Sequence, residues 1–371
     1  MFQVEQKNLA IIFGGQSGEH VVSLRSAASI MEAVDREQYL IVPVGITREG
    51  VWISGDDAWQ VLWNRRPLAE ADRAVMLTDP RRPGLLVEKK ELSSCWEFQP
   101  LDLVFPVLHG PYGEDGTVQG LLELSGIPYV GCGVLSSAVA MDKAVMKNVF
   151  QKHGLPVGPY LSFSRWEWWN EERQLIRQIC HVLELPCFVK PANLGSSVGI
   201  TRVLDAAGLP EAVAEALRYD DKVIVEAVLK GREIECSVLG DLEPKASRPG
   251  EIIPCNEFYD YKAKYLDDRS ELIYPAELGW DLEEKVQELA CRAFTAVEAS
   301  GLARVDFFVD SESGSIVLNE INTMPGFTSI SMYPKLWEAS GIGYSDLVSR
   351  LLDLAGKRFA RRQKLLTAPP E

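Results

Sequence analysis

Apolar positions along the chain fall into short continuous runs and into helical spacings, and their order predicts the architecture. Residues 9–15 (LAIIFGG) form a short apolar run ending in two glycines, a buried strand entering a turn. Residues 21–35 (VVSLRSAASIMEAVD) have the spacing of an amphipathic helix, and 39–47 (YLIVPVGIT) form the next strand. Strand, helix and strand in this order predict a βαβ unit and a parallel sheet. Residues 48–100 are less regular. LDLVFPVLHG (101–110) returns as a strand, TVQGLLELSG (117–126) reads as a helix and IPYVG as a short strand, so a first domain is expected over 1–135.

SSAVAMDKAVMKNVFQKHG (136–154) reads as one helix with a glycine stop. PCFVKPA, ITRV and KVIVEAVLKG carry strand-like runs around the loop LGSSVG, which predicts a small α+β domain over 136–230. The last domain, 231–371, opens with a strand at 232–240, followed by a long polar loop over 244–269 and a helix over 281–300. Two strands, ARVDFFVD and SIVLNEIN, are joined by a SESG turn, and the loop TMPGFTSIS leads into terminal helices.

A length of 371 residues exceeds most single hydrophobic cores and fits two or three domains. The net charge of −15 argues against nucleic acid and against an anionic membrane surface as partners. It leaves room for an anionic substrate held locally by Lys, Arg and a bound cation. The seven cysteines form no CxxC pair, which suits reduced thiols in a cytoplasmic protein. No signal-peptide pattern opens the sequence, and no run of about 18 apolar residues predicts a membrane span.

Neither a GxxxxGK[ST] loop nor a GxGxxG fingerprint occurs. The strongest chemical unit is VDFFVD…VLNEIN. Arg304 and Asp306 lie two apart on one strand, and Glu320 and Asn322 two apart on the next. If the strands pair, Asp306, Glu320 and Asn322 converge as hard oxygen ligands suited to Mg²⁺, with Arg304 opposing phosphate charge. A solvated sheet face with chance alternation is the bland alternative, weakened because these residues interrupt otherwise apolar strands.

In FVKPANLGSSVGI, Lys190 ends an apolar strand and Gly195, Ser196, Ser197 and Gly199 make a small loop of the kind that cradles phosphate. A plain hairpin turn has the same composition. In VLHGPYGEDGTVQG, His109 either orients a substrate or caps a strand end, and Glu114 and Asp115 either bind a cation or cap the next helix. In GGQSGEHVVS, Glu19 stands just before a helix, where it either grips an ammonium group or serves as a cap.

These pieces occur together and in order: GGQSGEHVVS, HGPYGEDGTVQG, MDK, VKPANLGSSVG, FYDYKAKY, ARVDFFVD and NEINTMPGFTSIS. In this the chain resembles, over nearly its whole length, the D-alanine–D-alanine ligase family of the ATP-grasp superfamily. The resemblance implies a three-domain α/β and α+β ATP-grasp fold with an N-terminal parallel-sheet domain. It implies ATP between the second and third domains and two D-alanine molecules where all three meet. Lys143 and Lys190 would contact nucleotide phosphates, with Ser196 and Ser197 in the phosphate loop. Glu226 and Glu233 would belong to the adenine and ribose end. Asp306, Glu320 and Asn322 would hold two Mg²⁺ ions, with Mn²⁺ as a substitute. Arg304 would stabilise the acyl phosphate and tetrahedral intermediate.

By the same resemblance, Glu19 would bind the ammonium of the first D-alanine and form a hydrogen-bonded set with Ser196 and Tyr265. His109 would face the substrate. Lys264 would reach the transferred phosphate as the 244–269 loop closes, and with Ser331 would bind the second carboxylate. The Gly326 N–H would serve an oxyanion hole. Leu194 and Ala227 depart from the family pattern at positions without a bond-making role. The implied setting is peptidoglycan precursor synthesis by a cytoplasmic homodimer. A D-alanine–D-lactate or D-alanine–D-serine ligase is the nearest alternative, and Tyr265 favours the dipeptide enzyme. A binding protein on an inactive ATP-grasp fold ranks low, because Lys190, Asp306 and Glu320 are all present.

Overall fold

The computed structural model describes residues 6–91, 95–195, 198–253 and 271–366. Within them the chain builds three sheets. The first contains β1 (Lys7–Gly14), β2 (Tyr39–Ile46), β3 (Trp52–Ser54), β4 (Asp72–Met76), β5 (Gly84–Glu88), β6 (Trp96–Pro100) and β7 (Leu103–Val107), in the order β6-β5-β4-β3-β2-β1-β7. Strand β1 is nearly all apolar and buried on both faces, as expected for a strand flanked by two parallel neighbours. The parallel expectation holds only for β2, β1 and β7. From β3 to β6 the sheet continues antiparallel in chain order: β3 reaches β4 through helix Asp56–Trp63, and the short connections from β4 to β5 and β5 to β6 can join only antiparallel neighbours. The segment IPYVG contributes an isolated bridge, Tyr129 to Val104, rather than a strand.

The second sheet is antiparallel: β8 (Tyr160–Ser164), β9 (Cys187–Pro191), β10 (Thr201–Val203) and β11 (Lys222–Ala227), in the order β10-β9-β11-β8. Helices Arg165–Val182 and Leu209–Ala216 pack into its core through Leu175, Ile179, Ala212 and Val213. The first of these helices starts with a capping box in which Ser164 and Glu167 satisfy each other's backbone N–H groups.

The third sheet comprises β12 (Arg232–Gly240), β13 (Lys245–Ala246), β14 (Gly250–Ile253), β15 (Glu271–Ile273), β16 (Gly301–Asp310) and β17 (Ser315–Asn322). Its antiparallel path runs β15-β14-β12-β16-β17, with β13 paired to β12. Strands β13 and β14 occupy the first part of the segment expected to be a loop. Helix Trp280–Ala296 covers one face through Val286, Ala290, Ala293 and Phe294. Along β16 buried and half-buried residues alternate, so one face is core and the other is left for chemistry.

The single helix expected over 136–154 is two helices, Val134–Met141 and Lys143–Lys152. Asp142 breaks it. Its backbone is extended, and its carboxylate accepts the N–H groups of Ala144 at 3.1 Å and Val145 at 3.0 Å as an N-cap. The second helix therefore starts at Lys143 and aims its positive N-terminus, along with that lysine, at the interior. Both helices share the core of the third sheet through Ala140, Met146 and Phe150. The chain ends in helix Tyr344–Arg362, whose Leu347, Leu351 and Ala355 join the core beneath β1 and β7.

Candidate active site

The three sheets enclose one cleft of about 1400 Å³, lined by residues from all of them. Its floor is the β16–β17 hairpin. The register places Arg304 opposite Asn322 and Asp306 opposite Glu320, with an irregularity after Asp306. The period of two then puts all four side chains on the half-buried face. Arg304 grips Asp306 at two points, Nε to Oδ1 and Nη2 to Oδ2, both at 2.7 Å. Asn322 Nδ2 donates to Asp306 Oδ2 at 3.0 Å. Burial would lower the Arg304 pKa, but Asp306 and Glu235 outweigh it and keep the guanidinium firmly charged.

Lys143 brings a second cation to this floor. Its Nζ lies 3.8 Å from Glu320 and donates to the Leu194 carbonyl at 2.7 Å. Lys190 projects from β9 and pairs with Glu226 of β11 at 2.5 Å. The other oxygen of Glu226 takes Lys147 at 2.8 Å, and Lys147 also donates to the Asn319 carbonyl at 3.0 Å. Burial alone would raise the Glu226 carboxyl, but the two lysines hold it well below the usual carboxylate range. Glu233 lines the same end of the cleft. Lys147 and Glu235 are not among the residues the sequence points to; Lys147 lies a helical turn after Lys143, and Glu235 two residues after Glu233 on β12.

The opposite wall comes from the first sheet. Glu19 precedes helix His20–Ala33 but its side chain does not cap it. Instead it lines the cleft. Its Oε2 lies 3.0 Å from where a Gly110 Cβ would stand and 3.4 Å from that of Gly195, so glycine at both positions leaves room for the carboxylate. His109 is buried with both ring nitrogens engaged: Nδ1 contacts the Met324 carbonyl at 2.8 Å and Nε2 contacts Ser26 Oγ at 3.3 Å. Ser26 Oγ accepts the Phe327 N–H at 3.2 Å, so its own hydrogen is available to Nε2 and Nδ1 carries the ring proton. Burial lowers the His109 pKa, which suits this neutral ring. The histidine thus orients the TMPG loop rather than capping a strand end.

Asp115 closes the turns on both sides of it, accepting from Tyr112 N at 2.8 Å and Thr117 N at 2.9 Å. Glu114 faces the cleft. Burial and the nearby Glu19 push its carboxyl up to about 8. Ser331 accepts the Thr328 N–H at 3.1 Å, and a Cβ on Gly326 would stand 3.1 Å from Ser331 Oγ, so the two expected residues are neighbours. Ser196, Ser197, Lys264 and Tyr265 lie outside the described residues.

The donor set suits a hard divalent cation. Two carboxylates and an amide oxygen face one space beside two lysines. No group of three or more His, Cys, Asp and Glu side chains among the described residues makes a self-contained cage. An Mg²⁺ ion here would take one or two carboxylates from Asp306 and Glu320 and its remaining ligands from phosphate and water.

Comparison with known proteins agrees with this geometry. Residues 8–132 match the family model "D-ala D-ala ligase N-terminus" and residues 149–353 match "D-ala D-ala ligase C-terminus". A D-alanine--D-alanine ligase of Heliobacterium modesticaldum is 50% identical over 363 residues, covering 98% of each chain. One from Ruminiclostridium cellulolyticum is 47% identical over 368 residues, covering 96% of this chain and 97% of the relative. Among solved structures, the VanG D-Ala:D-Ser ligase of Enterococcus faecalis superposes with a TM-score of 0.85 at 37% identity, covering 95% of this chain and all (100%) of that one. The D-alanine-D-alanine ligase of Coxiella burnetii does so with a TM-score of 0.81 at 38% identity, with 97% of each chain covered. With both family models matched in order across most of its length, the chain belongs to the D-alanine–D-alanine ligase family.

Proposed function

We propose that this protein joins two D-alanine molecules into D-alanyl-D-alanine, converting ATP to ADP and phosphate, in the making of a cell-wall precursor. One observation carries the reading. The cluster of Arg304, Asp306, Glu320 and Asn322, with Lys143 at 3.8 Å from Glu320, shares a single cleft with Glu19. Phosphate-binding charge and an ammonium-binding carboxylate therefore serve one site.

A carboxylate is a poor acyl donor, so activation precedes bond formation. The carboxylate of the first D-alanine attacks the γ-phosphorus of ATP, giving D-alanyl phosphate and ADP. The amine of the second D-alanine then attacks the acyl carbon, and phosphate leaves. Lys143 and Lys190 hold nucleotide phosphates, and Lys190 exchanges its Glu226 contact for them, with Lys147 keeping Glu226 paired. Ser196, Ser197 and Lys264 would add donors to the same phosphates. Glu226 and Glu233 serve the nucleoside end. Asp306, Glu320 and Asn322 would hold two Mg²⁺ or Mn²⁺ ions, which would supply charge neutralisation to the transferring phosphoryl group. Arg304 and the Gly326 N–H stabilise the oxyanion of the tetrahedral intermediate. Glu19 binds the first ammonium group, with Ser196 and Tyr265 beside it. Ser331 and Lys264 take the second carboxylate. His109 positions the loop that carries Met324 and Gly326.

We divide the chain into three units near 1–135, 136–230 and 231–371, one sheet to each, although the helices before residue 152 pack on the third sheet and the C-terminal helix packs on the first. A cytoplasmic homodimer is the proposed setting. No helix among the described residues is long and apolar enough to cross a membrane. The superposition on a D-Ala:D-Ser ligase favours one second reading, with D-serine as acceptor.

The test is to incubate the protein with ATP, Mg²⁺ and D-alanine, measuring ADP and peptide mass in one sample. Parallel samples contain L-alanine, or D-alanine with D-serine or D-lactate. ADP and D-alanyl-D-alanine formed together, and not from L-alanine, are expected. A mixed product favoured over the dipeptide moves the chain to the second reading or to a depsipeptide ligase. No turnover by folded protein refutes the ligase reading.

A further inference from the structure

Asp306 is held by three hydrogen bonds from protein donors. Both of its oxygens accept from Arg304 at 2.7 Å, and Oδ2 also accepts from Asn322 at 3.0 Å. An oxygen that turns toward a cation gives up part of this two-point grip on Arg304. A guanidinium held by Asp306 alone would then follow that carboxylate or compete with the cation for it.

A second carboxylate stands ready on the neighbouring strand. Glu235 lies directly across from Asp306 in the β12–β16 register, and its Oε1 is 3.0 Å from Arg304 Nη2. Glu235 is 6% exposed, so it is fixed by packing and its contact with the guanidinium is weakly screened. One guanidinium between two carboxylates also leaves a negative charge in excess, which favours an arriving cation.

We propose that Glu235 is a positioning residue that anchors the Arg304 guanidinium in the cleft and so frees Asp306 to bind the metal ion. The inference rests on the ligase reading of this site. Glu235 does not touch substrate. It acts by deciding where Arg304 goes when Asp306 changes partner. Without it, Arg304 falls back on Asp306 and opposes the cation.

Two variants of the full chain test this, each first checked for folding by thermal melting. Glu235→Leu removes the acceptor and keeps the volume, and Glu235→Gln keeps a neutral oxygen acceptor. Mn²⁺ affinity is read by electron paramagnetic resonance with ADP present and no amino acid. Steady-state kcat and the KM for ATP are read separately. In Glu235→Leu both Mn²⁺ affinity and kcat are expected to fall about 10- to 100-fold, the usual result of losing an outer partner of a metal site. The KM for metal-bound ATP is expected to rise by a similar factor, because weaker cation binding in the nucleotide complex weakens the metal–nucleotide complex by linkage. Glu235→Gln is expected to fall between this variant and the parent.

Should Glu235→Leu fail to fold, Glu235→Gln decides, with a loss of about threefold or more in Mn²⁺ affinity expected. Unchanged Mn²⁺ affinity in the deciding variant overturns the inference even if turnover falls. The metal measurement needs no turnover, so it still reads the inference if the parent protein fails to ligate D-alanine and the ligase reading is lost.

Discussion

Oε1 of Glu114 accepts the backbone N–H of Met324 at 3.1 Å, tying together two loops 210 residues apart. Its other oxygen accepts the Gly110 N–H at 2.5 Å. His109, from the same loop as Glu114, takes the carbonyl of Met324 at 2.8 Å. One residue of the TMPG loop is thus held at both its N–H and its C=O by the wall that carries Glu19.

This arrangement sets a pH dependence. Glu114 titrates near 8 in the folded chain, raised from an ordinary 4.5 by burial and by Glu19. Between those values the folded state keeps a proton that the unfolded state has lost, so stability falls as pH rises. His109 is shifted below its ordinary 6.5 by burial. Its contribution is present above 6.5 and is lost as pH falls below it. From 6.5 to 8, Glu114 therefore acts without opposition from His109. Melting temperatures across that range should decline for the parent and decline less for Glu114→Gln. Equal slopes would contradict the assignment.

Lys147 should matter to stability more than to chemistry. It is 2% exposed and shares Glu226 with Lys190. Lys147→Met leaves a buried carboxylate with one cation, and removal of one partner from a buried ion pair typically costs about 3–5 kcal/mol. Urea unfolding measures the loss. A change below about 1 kcal/mol, the scale of an exposed pair, would mean that water screens this cluster.

Gly110 offers a controlled pair with Gly341. Both have left-handed backbones, with φ of +74° and +89°, but only Gly110 has Glu19 within 4 Å of its missing Cβ. Alanine at either site should cost about 1–2 kcal/mol for the backbone. Only Gly110→Ala should also raise the KM for D-alanine, because the methyl group displaces Glu19. Initial rates at varied D-alanine, with ATP saturating, separate the two. An equal KM in both variants would remove Glu19 from the substrate site.

Arg304→Ala should lower kcat by about 10²- to 10³-fold, the usual loss for one oxyanion donor, with little change in the KM for ATP. Steady-state kinetics at saturating Mg²⁺ is the check. A rise in the KM for ATP at constant kcat would place Arg304 in nucleotide binding instead.

The β16–β17 cluster was legible in the sequence because charge interrupts a period of two in otherwise apolar strands, and the pairing then follows from a short turn. Glu19 was legible only as a choice between cap and ligand, since both readings share a helix N-terminus. Other features depend on tertiary contacts that no local pattern records. The pairing of Lys147 with Glu226 joins a helix to a strand of another sheet. Glu235 looked like one more residue of a strand. The break at Asp142 was hidden because apolar spacing continues through it, although the capping residue was in view. The antiparallel meander over β3–β6 was missed because residues 48–100 have weak periodicity, which fixes neither strand length nor pairing.

The central claim is that an acyl phosphate forms in this cleft, and oxygen tracing tests it most directly. D-alanine labelled with ¹⁸O in both carboxylate oxygens is converted in the presence of ATP and Mg²⁺, and the released phosphate is analysed by mass spectrometry. The attacking carboxylate oxygen stays on phosphorus when the amine displaces phosphate. The account predicts one ¹⁸O in the released phosphate for each dipeptide formed. Dipeptide formed with unlabelled phosphate would contradict it.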